Sequence, residues 1–539
     1  MDIRLKYAFA IAIIFIPFHL IQAQTWQDYY NQGRTSIDKG EYKEAVPVLL
    51  KARMMVAEKM DNKNETYRTI VNKLANAYYL SGAFDDATVN FRDLERAFKE
   101  DKATNTKEYA DMLEALAKSY EADKKIPQAA SYFQQALAAR EKIQGPGHKD
   151  YYETMINFAA LSMKVRKYDL AGNFYEKLYE FGKTGYKSDP EKYNDIVKNY
   201  ADLHFYTHKY EKAIELYDEH IKKSISAKAK KETYLYSIKL KAQSYEKIGK
   251  KDEMIESFKK YLVAFKEVSN DKEEEYNKEL EETIELFKKE KEYLAAIDLL
   301  KQKLAKYKEN SVEKALVLNE IGRNLNAAKK YEEAKKSFNQ SIAIQKELGK
   351  ESEASYPNTL DDLGRLQFAQ ENFSEAEKTF KEAQAIRKKN LGESHIDYST
   401  GLDSLAMFYV NQENFSEADT LLTKAIALKK EHLGTDHASY GHSLYLLAKL
   451  KTKLEAYEEA EKLMNSSSSV IAKYYGRGSF EYANSTKEMA DLFKVQEKYP
   501  QAIKLYRQSL SIFEGMGKAK SSYTDAIHKS IQEVNEAQE

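Results

Sequence analysis

Twelve apolar residues, eleven of them Ala, stand at almost constant spacing along the chain: Ala45, Ala87, Ala129, Ala171, Ala213, Met254, Ala296, Ala334, Ala376, Ala418, Ala460 and Ala502. The successive intervals are 42, 42, 42, 42, 41, 42, 38, 42, 42, 42 and 42 residues. A period of this kind, held over nearly the whole chain, leaves few folds open. Each period is a supersecondary element that cannot bury its apolar face alone and must stack on its neighbours. Such an array is more often a binding surface than a reaction vessel.

The tenth repeat shows the content of one period. Leu402, Leu405, Ala406 and Tyr409 recur at i, i+3, i+4 and i+7, one face of an α-helix. Asn411 to Asn414 are a polar break, after which Ala418, Leu421, Leu422, Ala425 and Ile426 resume the helical spacing. Ser416 with Asp419, and Ser374 with Glu377 one repeat earlier, resemble capping boxes opening the second helix. No stretch alternates as a strand does. The fold expected is all-α, a solenoid of about twelve antiparallel helix pairs.

Twelve positions before each marker lies another residue, usually small, from Gly33 and Ala75 through Gly322, Gly364 and Ala406 to Ala490, with Ile284 the exception. Four positions after it stands a large residue, often aromatic: Phe91, Phe133, Tyr175, Tyr217, Phe258, Phe338, Phe380 and Tyr506. Small facing small lets the pair close, and the aromatic is expected to fill the gap to the neighbouring pair.

This pattern, from about Trp26 to Met516, resembles the tetratricopeptide repeat (TPR), and the resemblance implies a right-handed superhelical solenoid. The usual unit is about 34 residues. The longer repeats resemble the kinesin light chain type, which often carries Leu-Gly-x-x-His between repeats. Leu391-Gly392-Glu393-Ser394-His395 and Leu433-Gly434-Thr435-Asp436-His437 match that segment, with a weaker echo at Gly145-Pro146-Gly147-His148.

The organisation expected is a signal peptide over 1–23, a first array over 24–268, an irregular seventh repeat over 269–311 that is a candidate bend, a second array over 312–519 and a capping helix over 520–539. Arg4 and Lys6 precede an apolar run from Tyr7 to Ile21, and the small-residue exit points to cleavage after Ala23. At about fifteen residues with Pro17 inside, the run is short for a membrane span. The expectation is an exported protein, periplasmic or secreted and of a bacterial kind, with no stable span after cleavage.

Lys and Arg total 85, as do Asp and Glu, so no net field attracts nucleic acid. Cysteine is absent, which excludes disulfides, thiolate metal sites and a cysteine nucleophile. No phosphate-cradling glycine loop, Gly-x-Ser-x-Gly elbow or His-Glu-x-x-His occurs. His204 and His208, four apart, would share a helix face but lack a third metal ligand. His395 and His437 recur with the inter-repeat turn and are expected to satisfy backbone groups. The reading is non-enzymatic, with no cofactor and no metal.

In the TPR class the first helix of each pair lines the concave face. Residues three before, one after and four after its small residue then face outward. This gives Asn72, Asn76 and Tyr79 in repeat two and Asn319, Arg323 and Asn326 in repeat eight. Arg365 and Phe368 follow in repeat nine, and Met407 and Val410 in repeat ten; Tyr30, Arg34, Ile156, Met163, Lys198 and Phe205 are lesser candidates. Asn can donate and accept along a peptide backbone, and Arg can take a carboxylate bidentately. The function expected is an exported scaffold that binds protein or peptide partners in this groove. An alternative is the sensing or substrate-recognition subunit of a signalling or protease pair whose catalytic domain is on another chain. Glycan capture is disfavoured by the single tryptophan, Trp26.

Overall fold

The structure, a computed structural model, describes residues 24–59, 64–269, 272–351, 353–516 and 522–538. The expected signal peptide lies outside them. The described residues form 25 helices and no strand. All but the last pair off, two per repeat, as the period requires. The last, Ser522–Gln538, follows the twelfth pair at the position expected for a cap. The chain divides into two compact units, one through Leu203 and one from His204.

Every marker is buried, at 0–1 % exposure. The turn before it repeats with equal regularity. Five positions ahead of each marker is a residue with positive φ: Gly40, Gly82, Lys124, Arg166, His208, Gly249, Lys291, Lys329, Glu371, Glu413, Glu455 and Glu497. In repeat two, Gly82 N–H donates to Tyr79 O (3.1 Å) and Ala83 N–H to Tyr78 O (2.9 Å). In repeat ten, Glu413 N–H donates to Val410 O (3.3 Å) and Asn414 N–H to Tyr409 O (2.9 Å). This is the Schellman arrangement, in which a left-handed residue lets the chain reverse while satisfying the last carbonyls of the first helix.

That turn overrides the capping boxes read at Ser374 and Ser416. The second helices of repeats nine and ten begin at Phe373 and Phe415, and the preceding Asn372 and Asn414 make no side-chain cap. The Schellman turn has already placed the chain in helical register, so the serines fall inside the first turn. It also separates the two histidines of repeat five. The first helix ends at Tyr206 and His208 is the left-handed residue, its Nδ1 2.6 Å from Tyr210 Oη.

First helices do use side-chain caps. His148, His395 and His437 stand at the N-cap, each Nδ1 accepting the N–H two residues on, at 3.2, 3.1 and 3.1 Å. Thus the Leu-Gly-x-x-His segment is a helix stop and start. Gly392 and Gly434, with φ of 81 and 78°, end one helix in a conformation open to glycine, and the histidine opens the next.

A Cβ on Gly322 would lie 2.5 Å from Phe338, and one on Gly364 2.9 Å from Phe380. The aromatic therefore rests on the small residue of its own pair as well as reaching the next: Phe133 stacks on Phe158 at 5.7 Å, and Phe380 approaches Phe408 at 5.9 Å. Repeat seven trades volumes. Ile284 stands where others have a small residue, Leu300 where many have an aromatic, and both are fully buried. Its second helix, Tyr293–Leu304, has only 12 residues, which accounts for the short interval to the next marker.

A non-glycine residue in the left-handed region costs roughly 1–2 kcal/mol, partly balanced by glycine's greater chain entropy when unfolded. Glu413→Gly, at φ 59°, should therefore stabilise the protein by about 0.5–1 kcal/mol. Glu413→Val should destabilise it. Urea denaturation followed by circular dichroism distinguishes these outcomes from a turn indifferent to substitution.

Candidate functional site

Consecutive first helices touch one another directly. In the second unit Ser355–Ala369 contacts both Val312–Ala327 and Ile396–Asn411, which in turn contacts Ala438–Lys453. In the first unit Glu65–Leu80 contacts both Trp26–Asp38 and Lys107–Ala122. The second helices of these repeats do not approach each other to the same extent. Each unit therefore curves toward its first helices, whose outer residues share an inner surface.

In the second unit that surface holds a groove of about 770 Å³. Phe368, Met407 and Leu446 give it an apolar floor, while Arg365, Asn411, His442 and Glu481 bring polar groups to its walls. His442 opens to the groove but is walled by protein. Burial pushes its pKa down, and Lys429, Arg365 and Lys449 add to this against the pull of Asp403. In the first unit a hollow of about 310 Å³ is lined by Asn76, Tyr79, Lys118 and Arg140 among others.

The sequence candidates divide. Asn72 is exposed and Asn76 half-buried, and Asn76 donates Nδ2 to the Asn72 carbonyl at 2.7 Å. Tyr79 lies against Phe84 at 5.7 Å. Asn326 is half-buried and is not among the groove residues. Arg365, Phe368 and Met407 do line the groove. Val410 does not. It is 4 % exposed and belongs to the core of repeats nine to eleven. Asn319 is likewise 4 % exposed and faces a carboxylate of its own chain.

That carboxylate, Asp362, organises the arginines. Asn319 Nδ2 donates to Asp362 Oδ2 at 2.9 Å, Arg323 Nε donates to the same oxygen, and Arg365 Nη1 donates to Oδ1 at 2.7 Å. Arg365 Nη2 also donates to Ser404 Oγ at 2.7 Å. The Asp362 side chain is 5 % exposed, those of Arg323 and Arg365 54 % and 52 %. A buried anion thus pins two half-exposed guanidinium groups side by side.

Three charge pairs that the sequence analysis did not single out lie between the paired helices. Arg140, Arg387 and Lys429 stand eleven residues after their markers, and Glu114, Asp361 and Asp403 fifteen before. Arg140 Nη2 reaches Glu114 Oε2 at 2.9 Å, Arg387 Nη2 reaches Asp361 Oδ2 at 2.7 Å, and Lys429 pairs with Asp403. A hydroxyl from the next repeat joins two of them. Thr154 accepts from Arg140 Nε at 2.6 Å, and Ser443 accepts from Lys429 Nζ at 2.8 Å. In the third the corresponding residue is Gly401, and Asp361 Oδ1 and Arg387 Nη1 are buried without a partner. The shared offset was the available signal, since it is visible only when repeats are laid in register.

The acids of the first and third pairs titrate in opposite directions. Burial pushes Glu114 up, but Lys118, Thr154 and Arg140 outweigh it and hold the carboxyl below its usual range. Burial also pushes Asp361 up, and there Arg387 is not enough, so the carboxyl stays above its usual range.

Residues 313–389, 397–468 and 443–515 match the tetratricopeptide repeat family. Those residues carry tetratricopeptide repeats, and the same register of markers and turns continues back to Trp26. A crystal structure of a Podosopora anserina candidate kinesin light chain with nearly identical TPR-like repeats is similar at 22 % identity, over 39 % of this chain and 99 % of that one, with a TM-score of 0.33. The structure of BtubC (BKLC) from P. vanneervenii is similar at 12 % identity, over 44 % of this chain and 92 % of that one, with a TM-score of 0.34. A comparison with curated protein sequences gave no match. Among the described residues no helix is long and apolar enough to cross a membrane.

Acid should act unequally on the two acids. Glu114 has a depressed folded pKa, so its stabilisation is complete above the ordinary Glu value near 4.3 and is lost as pH falls through the folded value. Asp361 has a raised folded pKa, so its contribution is greatest at low pH and shrinks as pH rises through the folded value. Between pH 7 and about 3, hydrogen exchange should accelerate around Glu114 and Arg140 before it does around Asp361 and Arg387. The reverse order would contradict this assignment.

Proposed function

We propose that this protein is a non-catalytic, exported interaction scaffold that holds an extended partner segment on the inner face of repeats eight to eleven. The observation that carries the reading is the apolar floor of Phe368, Met407 and Leu446 beside Arg365, which Asp362 couples to Arg323 of the preceding repeat. A segment offering a hydrophobic side chain and a carboxylate a few ångströms away matches both. The guanidinium groups are already held by Asp362 and Ser404, so little side-chain freedom is lost when a carboxylate docks. Export is supported by Arg4 and Lys6, the apolar run to Ile21 and the exit at Ala23.

Arg323→Ala with Arg365→Ala would remove both contacts but also strand Asp362. The informative variant adds Asp362→Asn. Each lost charge-assisted hydrogen bond is worth about 1.5–3 kcal/mol, so the triple variant should bind a partner captured from the exported fraction at least about tenfold more weakly. It should melt close to the parent, whereas the double variant should melt lower. A partner that binds the triple variant and the parent equally would place recognition on another surface.

Mass spectrometry of the natively expressed protein should find Gln24 as the first residue. A soluble form retaining Met1 would overturn the export reading.

A further inference from the structure

The second unit returns on itself. Lys247, the last residue of the first helix of repeat six (Lys231–Lys247), donates Nζ to the carbonyl of Met516 at 3.1 Å, across 269 positions of sequence. Tyr523, in the C-terminal helix Ser522–Gln538, donates its hydroxyl to the carbonyl of Lys289, across 234 positions. Two cations complete the contact: Lys289 Nζ lies 4.6 Å from the centre of the Phe480 ring, and Lys291 Nζ 4.8 Å from that of Tyr523. Tyr523 is itself wedged between Phe480, edge-on at 4.7 Å, and Phe513, stacked at 5.8 Å.

The burial of the edge agrees. Glu290 sits in the turn between the helices of repeat seven, six residues before its marker, and is 4 % exposed. The equivalent residue of repeat eleven, Leu454, is 44 % exposed. The equivalent residue of each other repeat is at least partly exposed, and Glu290 alone among them is buried, where the C-terminal helix comes close. Repeats seven to twelve and that helix therefore complete a circuit, and the groove of repeats nine to eleven faces the space inside it.

We propose that this contact is a latch that makes the groove selective for extended segments. A peptide can thread into the enclosed space, whereas a folded domain reaches the groove only after the C-terminal helix lets go of repeats six and seven. The proposal rests on the reading of the groove as the docking surface. The latch suits release: it consists of a few hydrogen bonds and cation–ring contacts, and the apolar cluster that seats the C-terminal helix draws its buried residues from repeat twelve and that helix alone.

The chain has no cysteine, so a single one placed by Met407→Cys is a unique reporter on the groove floor. The probes are a maleimide on a short unstructured peptide and the same maleimide on a folded globular protein. Rates are normalised to those of a chain carrying Val263→Cys, a position 62 % exposed. With the latch intact the peptide should label the groove at least tenfold faster than the folded protein. Lys247→Gln with Lys289→Gln, which leaves the core untouched, should bring the ratio toward one, and Tyr523→Ala should do so more fully. If Tyr523→Ala unfolds the C-terminal helix, the lysine pair decides alone. A ratio near one with the latch intact, or a ratio unchanged by the lysine pair, overturns the proposal. No partner is present in this assay, so its failure leaves the docking reading standing, and loss of the docking reading would leave the labelling ratio unchanged.

Discussion

Everything in this structure depends on the close approach of two helices at one small residue each, enforced by a left-handed residue five positions before the second. Nine of the twelve turns place a non-glycine side chain in that region. The conformation is unfavourable in isolation. It persists because the Schellman hydrogen bonds and the buried marker on either side leave the chain no other path. Local strain and tertiary packing thus hold each other in place, and the period of the sequence is the distance between successive instances of that bargain.

Such a contact sets limits on volume rather than on residue identity. Gly322 and Gly364 exist where Phe338 and Phe380 press closest, and Ile284 is tolerated where Leu300 replaces the aromatic. Within that frame the helix pair is rigid enough to carry charge in its interior. The three buried cations each bridge the two helices of a pair, and two reach a hydroxyl on the next repeat. A buried pair of this kind contributes little net stability but penalises any other register, because a slipped repeat would leave the charge unmatched.

The period, the helix pairs and the identity of the core faces were legible in the sequence because each depends on spacing alone. Partners were not. Met407 and Val410 are three residues apart, so they lie about 60° apart around the helix axis. That angle is enough to turn Val410 into the core while Met407 reaches the groove. Arg323 and Arg365 were read as waiting for a carboxylate, and their outward direction is what the structure shows. What helical spacing could not show is that Asp362, one residue beyond the expected face, already holds both. The capping boxes failed for a related reason. Ser416 and Asp419 have the right offset, but the turn at Glu413 had already started the helix.

The internal acid also shapes what the groove can recognise. Two guanidinium groups sharing one buried carboxylate carry a net charge of about one, presented by side chains that cannot swing away without unpairing Asp362. An incoming carboxylate therefore gains direction more than strength, since part of each arginine's attraction is already satisfied. Discrimination must come from meeting the fixed guanidinium pair and the apolar floor at once. A segment with the charge alone lacks the burial of Phe368 and Met407, and one with the apolar side chain alone leaves the paired arginines facing water as before. On the proposed reading the geometry would select for a spacing between two features of the partner, a form of recognition suited to a rigid repeat array.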